Sequence, residues 1–424
     1  MSSLTFCMLF AAFLLISVAI RLWLASRQIR HVSRHRHQLP AAFEARIGLP
    51  AHQRAADYTV ARTRLGMVEQ LLNALVLLAL TLLGGLDLLQ RLWQGWLPDS
   101  PLWQQMGIVV SAVLLISLAE LPLELWRHFR LESRFGFNRM TLGLFLSDRL
   151  KGLLVGAILG LPLVAALIGL MQASGNLWWL WAWLLWTGFS IAMLLIYPAV
   201  IAPMFNHFEP MPDGPMRTRI EALLKRCRFA ARGLFVMDGS RRSAHGNAYF
   251  AGLGRARRIV FFDTLLERLD ADEIEAVLAH ELGHFKKRHI QKRLLLQIVL
   301  SLGTFALLGW VSAQAWFYQG LGVSLDVSQP PPAGVALILF FLVVPVFSLV
   351  LRPIMAWLSR RDEFEADAFA IAHSQGQALV SALTKLYEDN ASTLTPDPLH
   401  SAFYDSHPPA TVRIAHIERQ LGMA

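Results

Sequence analysis

Charge is scarce in this chain. Asp, Glu, Lys and Arg make up 16% of its 424 residues and hydrophobic residues 55%, whereas a soluble protein carries about 25% charged residues. The deficit excludes a soluble globular enzyme and, with a mean hydropathy of +0.44, leaves a polytopic membrane protein. Cysteine is nearly absent: Cys7 and Cys227 are the only two, which excludes a disulfide framework and a thiolate metal site. A basic stripe interleaved with aromatics is missing as well. The formal net charge is +9, but the basic residues are scattered in connections beside apolar runs, so nucleic acid is not an expected partner.

Uninterrupted apolar sequence is abundant. Seven runs approach the roughly 20 helical residues needed to cross a hydrocarbon layer: Leu4–Leu24, Met67–Leu89, Met106–Trp126, Leu153–Met171, Leu177–Val200, Leu294–Phe317 and Val335–Leu351. The first has no basic leader and no small-residue cleavage site before Arg21, so it reads as an anchor rather than a secretory signal. Arg27, Arg30, Arg34, Arg36, Arg46, Arg54, Arg62 and Arg64 follow it, and Arg127, Arg130, Arg134, Arg139, Arg149 and Lys151 separate the third and fourth runs. The connections Leu97–Gln105, Gln172–Asn176 and Gln319–Gly334 contain neither Lys nor Arg. The asymmetry predicts cytoplasmic basic loops, an external amino terminus, and cytoplasmic polar segments Ala202–Gln291 and Arg352–Ala424. Trp178, Trp179, Trp181, Trp183 and Trp186 read as an interfacial belt. Asp87, Glu120 and Glu124 lie within apolar runs, where acids are costly unless they face protein or water. Glu120 and Glu124, one helical turn apart, allow two readings: a polar interior chamber, or a Glu124–Arg127 pair near the interface.

Ahead of the sixth run, Asp270 and Glu273 have capping-box spacing, and Ile274, Val277, Leu278 and Phe285 recur at helical intervals. His280 and His284 therefore sit one turn apart on a helix. In His280-Glu281-Leu282-Gly283-His284 two imidazoles on one face can hold one zinc ion while Glu281 reaches the attacking water. The pattern arises by chance in about one sequence of this composition in sixty, and the competing reading is a surface helix with two satisfied histidines. Zinc held this way needs a third protein ligand. Beyond the seventh run, Glu363 and Asp367 are four apart and share a face, which suits Glu363 as that ligand and Asp367 as acceptor for the free N–H of a ligand histidine. Glu365 points elsewhere. By itself this segment also fits a solvated charged helix.

Leu234–Met237, Asn247–Phe250 and Arg258–Phe262 read as short strands separated by Gly- and Arg-containing turns. Such a sheet either offers an edge to a peptide or simply packs on the metal helix, and the residues favour neither.

Five landmarks taken in order are more specific. His280-Glu281-Leu282-Gly283-His284, Glu363-Phe364-Glu365-Ala366-Asp367, Asn247-Ala248-Tyr249-Phe250, Gly136-Phe137-Asn138-Arg139 and Ser406-His407-Pro408-Pro409-Ala410-Thr411-Val412-Arg413 resemble those of the type 1 CAAX prenyl protease family over essentially the whole chain. The resemblance implies one Zn2+ per chain on His280, His284 and Glu363, with Glu281 as general base. It implies that Asn247 and Ala248 present amide and backbone groups to an extended substrate, that His407 approaches the scissile carbonyl, and that Arg413 approaches the zinc-site carboxylates. It further implies removal of the terminal tripeptide from a prenylated protein whose lipid enters between membrane helices. Glu365, where Gln is frequent, and Phe285, where Trp is common, depart from the pattern.

The expected fold is mainly α: a seven-transmembrane-helix bundle with a cytoplasmic zinc metallopeptidase unit of helices and a small β-sheet. Residues 1–201 form the first five spans and 202–291 the sheet and metal helix; 292–351 form spans six and seven, and 352–424 supply the third ligand and the His-Pro-Pro segment. The expected function is zinc-dependent endopeptidase action on a peptide or protein substrate within reach of membrane lipid, prenylated at its carboxy terminus if the resemblance extends that far. The alternatives are a quality-control protease without prenyl specificity and a non-catalytic zinc-stabilised transporter or scaffold; the latter should show internal duplication, and none is evident. Asp272, Glu273, Glu275, Lys286, Lys287 and Arg288 put too much charge around the motif for a metal helix buried in lipid. The Arg-, Leu- and Trp-rich, Lys-poor composition points to a bacterial inner membrane, or to the endoplasmic reticulum if the source is eukaryotic.

Overall fold

The computed structural model describes residues 1–251, 258–325 and 331–422. The turn expected between the second and third predicted strands (252–257) and positions 326–330 of the last connection without Lys or Arg lie outside the described residues. Among those described, seven helical stretches are long and apolar enough to cross a membrane: Ser3–Arg34, Leu49–Leu80, Pro101–Glu132, Leu142–Ala173, Gly175–Phe205, His289–Val311 and Ala333–His373. A 32-residue stretch such as Ser3–Arg34 rises about 48 Å against a hydrocarbon thickness of roughly 30 Å. The helices therefore outrun the apolar sequence that announces them.

Helices α1 (Ser3–Arg34), α2 (Leu49–Leu80), α3 (Gly85–Trp96), α4 (Pro101–Trp126), α5 (Leu142–Ala173), α6 (Trp178–Ile196) and α7 (Ala202–Phe205) form the first half. The starts follow local chemistry: Ser2 and Thr141 hydroxyls accept the N–H groups of Thr5 and Leu144, and Pro50 and Pro101 occupy first-turn positions where no donor is needed. The second run, expected as one helix over Met67–Leu89, is broken. The chain turns at Thr81–Gly84, with Gly84 at φ +79°, and a Cβ on Gly85 would meet the Ala79 carbonyl oxygen at 2.5 Å. Asp87 thus lies in the first turn of α3 rather than inside a span. There it accepts the Ser324 N–H and pairs with Arg91, at the helix end that favours an anion.

Other expectations shift for similar reasons. Glu124 pairs with Arg149 of α5, which also donates to Ser117, while Arg127 pairs with Glu69; the Glu124–Arg127 pair, one of the two readings, is replaced by ties between helices. The tryptophans of the fifth span also pack between helices. Trp178 is buried, Trp179, Trp183 and Trp186 pack on the membrane core, and only Trp181 of the five is exposed. Trp183 donates to Ser301 of the sixth span.

The second half begins with β1 (Phe208–Pro210), α8 (Pro215–Arg226), β2 (Gly233–Met237), β3 (Ala248–Ala251), β4 (Arg258–Phe262), α9 (Asp263–Arg268) and α10 (Ala271–Lys286). It continues with α11 (His289–Val311), α12 (Ala315–Gln319), α13 (Ala333–Phe347), α14 (Arg352–His373), α15 (Gly376–Asp389), α16 (Pro398–Tyr404) and α17 (Ala410–Gln420). Phe317, expected in the sixth span, belongs to α12 after a break. The strand order is β1-β2-β4-β3, with β2 and β4 parallel and both outer pairs antiparallel. Strand β1 escaped sequence reading because three residues carry no usable alternation. One hydrophobic core lies within the membrane helices around Phe10, Leu86, Ile108, Ile168 and Tyr318. A second joins Phe43 to Ile220, Phe261, Leu278, Leu379 and Ile414, so the polar segments on either side of spans six and seven share a single interior.

Two basic connections are tied to the polar segments: Arg27 and Arg46, of the first, pair with Asp397 and Glu418, and Asp148, of the second, pairs with Arg242. At the other end Ser3 donates to Gln319, and Asp87 meets Ser324. The alternation expected from charge is thus matched by which loops meet which.

Helix α10 packs on α14 at Gly283, where a Cβ would fall 2.9 Å from Ala366 Cα and 3.0 Å from its carbonyl oxygen. Backbone, not a movable side chain, stands in the way. Gly283→Ala is expected to destabilise the protein by about 1–3 kcal/mol, read as a lowered thermal unfolding midpoint in detergent. Gly143→Ala, whose Cβ meets nothing within 4 Å, should be neutral or stabilising.

Candidate active site

The metal helix α10 starts at the capping box foreseen from sequence: Asp270 accepts the Glu273 N–H, and Glu273 accepts the Asp270 N–H. Ile274, Ala276, Leu278, Ala279 and Leu282 are buried in the second core, which fixes the rotation of the helix and turns His280 and His284 toward α14. Buried Glu275 faces Arg219 and Arg226, and Glu273 takes Ser381 and Lys385. The helix is anchored by ion pairs where its surface is not apolar.

The seventh span runs through a tight turn at Ser348–Leu351 directly into α14, carrying Glu363 and Asp367 to the face of α10. His280 Nε2 and His284 Nε2 are 3.2 Å apart. Glu363 places Oε2 3.4 Å from His280 Nε2 and Oε1 3.3 Å from His284 Nε2. Ligands about 2.05 Å from a tetrahedral zinc ion are separated by about 3.3 Å, so the three atoms already stand at the edges such an ion requires. Glu363 is 3% exposed, and its Oε2 makes no hydrogen bond among the described residues, leaving a lone pair that a metal ion between the three side chains could take.

Around these ligands the polar groups are matched. Asp367, fully buried, lies 2.8 Å from His280 Nδ1 and accepts two bonds from Arg413, at 2.8 and 2.7 Å. Arg413 also reaches Glu363 Oε2 at 3.5 Å. Burial works against the Arg413 charge, but Asp367 outweighs it and holds the guanidinium more firmly protonated than usual. Burial and Arg413 likewise oppose a second proton on His280. Its bonds to Asp367 and Glu363 prevail and push it up to about 9; the field that attracts this proton equally suits a metal cation. Glu281 sits between the two histidines in sequence, and no hydrogen bond from another described side chain engages its carboxylate. Burial pushes that carboxyl above the ordinary range, opposed by His280 and His284.

His407 lies on the open side: its side chain is 63% exposed, with Nε2 3.4 Å from Glu363 Oε1. Arg360, which sequence reading passed over, donates to the carbonyls of Ser401, Ala402 and Asp405 and so ties this segment to α14. Asn247 caps β3 by accepting the Ala248 N–H at 2.8 Å. Strand β3 is the outer strand and pairs only with β4 among the described residues. The Gly136–Arg139 landmark buttresses the approach to that strand: Asn138 bridges Ser243, Arg139 N–H donates to Arg242, and Ala244 N–H donates to Phe137.

One residue that sequence reading did not single out joins the site, together with Glu365. His289 stands against His284, and Glu365, set apart from the ligand face as expected, contacts His289 instead. No helical periodicity pairs positions five apart across a helix break.

Comparisons with known proteins agree with this geometry. Residues 28–207 match the CAAX prenyl protease N-terminal family, described by five membrane helices, and residues 210–421 match peptidase family M48. The chain is 37% identical to the CAAX prenyl protease 1 homolog of Arabidopsis thaliana over 323 residues, covering 76% of this chain and 75% of that protein. It is 30% identical to the Homo sapiens homolog over 452 residues, covering 96% and 94%. The crystal structure of S. mikatae Ste24p superposes with a TM-score of 0.91 at 28% identity, spanning 97% of this chain and 99% of that one. The chain therefore belongs to peptidase family M48, with the amino-terminal membrane region of the CAAX prenyl proteases, and is a multi-pass membrane metalloendopeptidase.

Proposed function

We propose that His280, His284 and Glu363 hold one zinc ion and that the protein hydrolyses a peptide bond with Glu281 as general base. The observation that carries this reading is the convergence of three ligand atoms, all within 4.8 Å of one another, with a glutamate beside the first. Zinc, when bound, supplies a Lewis acid for the scissile carbonyl and makes water acidic enough to attack at neutral pH. Glu281 takes the proton from the attacking water and delivers it to the leaving amine. Its raised pKa suits both halves of that transfer. His407, on the open side, donates to the oxygen on which negative charge develops, and Arg413 with Asp367 holds His280 and Glu363 in place. Asn247 and Ala248 mark the edge on which the substrate lies as an added strand, its backbone pairing where β3 has no neighbour.

The substrate we propose is a prenylated Cys-a-a-X protein, from which the terminal tripeptide is released. The relatives named CAAX prenyl protease 1 support this, as does a site whose two ligand helices each join a membrane span, within reach of a lipid-linked chain. The site and the sheet form one cytoplasmic unit built from 202–291 and 352–424, consistent with its contacts to the basic loops, in the inner membrane of a bacterium. Peptide hydrolysis without prenyl specificity is the second reading, favoured by an edge strand that pairs through backbone and so tolerates many sequences.

Glu281→Gln is expected to lower kcat by about 10²–10⁴-fold while elemental analysis still finds zinc. Full activity in that variant would remove Glu281 from the mechanism. His407→Ala should lower kcat by about 10²-fold or more with KM little changed, the behaviour of a lost oxyanion donor. Mass spectrometry of products from a farnesylated peptide and its unlipidated twin decides specificity: tripeptide release from the lipidated one alone supports the prenyl reading, and equal cleavage of both supports the second.

A further inference from the structure

We infer that His289 is a positioning residue for the metal centre, linking His284 to the carboxylate of Glu365. The proposal rests on the ligand assignment above. His289 is 1% exposed. Its Nδ1 lies 3.0 Å from His284 Nδ1, and its Nε2 lies 3.2 Å from Glu365 Oε2 and 3.6 Å from Asp362 Oδ1. The His284 and His289 rings meet nearly edge to face, 5.2 Å between centroids at 72°.

Residues five apart on one straight helix point about 140° apart and do not touch. They meet here because Arg288 takes the left-handed conformation, φ 58°, which ends α10 and starts α11 at His289. A non-glycine residue in that region is uncommon and invites a functional explanation. Here the break turns a buried imidazole back onto the metal helix.

Counting protons fixes the direction of every bond in the chain. If His284 Nε2 gives its lone pair to the metal, His284 Nδ1 carries the proton and must donate it. His289 Nδ1 is then the acceptor, so His289 is neutral with its proton on Nε2, and that proton goes to Glu365, with Asp362 Oδ1 nearby at 3.6 Å. Carboxylates only accept, so no other arrangement satisfies all the contacts. Both acids also face arginines, Asp362 Oδ2 with Arg293 at 3.0 Å and Glu365 Oε1 with Arg361 at 3.6 Å. The two ligand histidines are thus oriented differently: His280 by Asp367 directly, and His284 through a second imidazole. The Glu365 departure noted in the sequence acquires a place, since in this chain the relay ends on a carboxylate rather than an amide.

The test is zinc affinity of the full-length protein in detergent, measured by chelator competition, with the visible absorption of the cobalt-substituted protein as a second readout. His289→Leu is expected to weaken zinc binding by about 10–100-fold and to shift the cobalt bands. His289→Gln, whose amide oxygen still accepts from His284 Nδ1, should recover affinity to within a few-fold of the parent. Glu365→Leu leaves His289 in place and should weaken binding several-fold, and it decides the matter if His289→Leu does not fold. Parent-like affinity and cobalt spectrum in His289→Leu, or equal losses in Leu and Gln variants, would overturn the relay; so would an unaltered Glu365→Leu protein if that variant is the only one that folds. His284→Leu separates the two levels: if it binds zinc as the parent does, the ligand assignment fails and the relay with it, whereas if it loses zinc and the His289 and Glu365 variants do not, only the relay fails.

Discussion

The structure turns on one buried carboxylate meeting two imidazoles. Glu363 and the pair His280 and His284 are about eighty positions apart in sequence, and an isolated ionised carboxylate in that interior would be strongly unfavourable. It becomes tolerable through Arg413, through the imidazoles, and through whatever cation they enclose. The required approach of two helices is possible because Gly283 faces Ala366 backbone to backbone. The residue that seems idle in the middle of the histidine motif is the one that lets the third ligand arrive.

Each ligand helix is also an extension of the membrane region. Helix α10 passes through Arg288 into the sixth span, and the seventh span passes through a tight turn into α14. A site made this way is joined directly to two candidate membrane helices while its own surroundings carry the charge found around the histidine motif. Arg27–Asp397, Arg46–Glu418 and Arg242–Asp148 then fasten the remaining loops to the same unit. Partly exposed pairs of this kind contribute little each; their value is in fixing which loop meets which surface.

Much of the site could be read from residues alone because its logic is local. Asp270 and Glu273 announce the start of a helix, the i, i+4 spacing puts His280 and His284 on one face, and Glu363 and Asp367 repeat that spacing on another. Where reading went astray, the deciding contact was distant or the backbone was interrupted. Asp87 looked like an acid in lipid because the break at Thr81–Gly84 is hidden within apolar sequence. Glu124 looked like a partner of its neighbour Arg127, but Arg149 on the next helix reaches it.

The sequence by itself determined the membrane class, the helical pair of histidines and the shared face of Glu363 and Asp367, because hydropathy, charge and a 3.6-residue period act within short stretches of chain. Only the tertiary structure decided that β3 stands at the outer edge of the sheet, that Arg360 holds the His407 segment, and that His289 and Glu365 stand behind His284. Those contacts join elements across helix breaks or dozens of residues, and no periodicity records which buried donor will face which acceptor until the cores on both sides have closed.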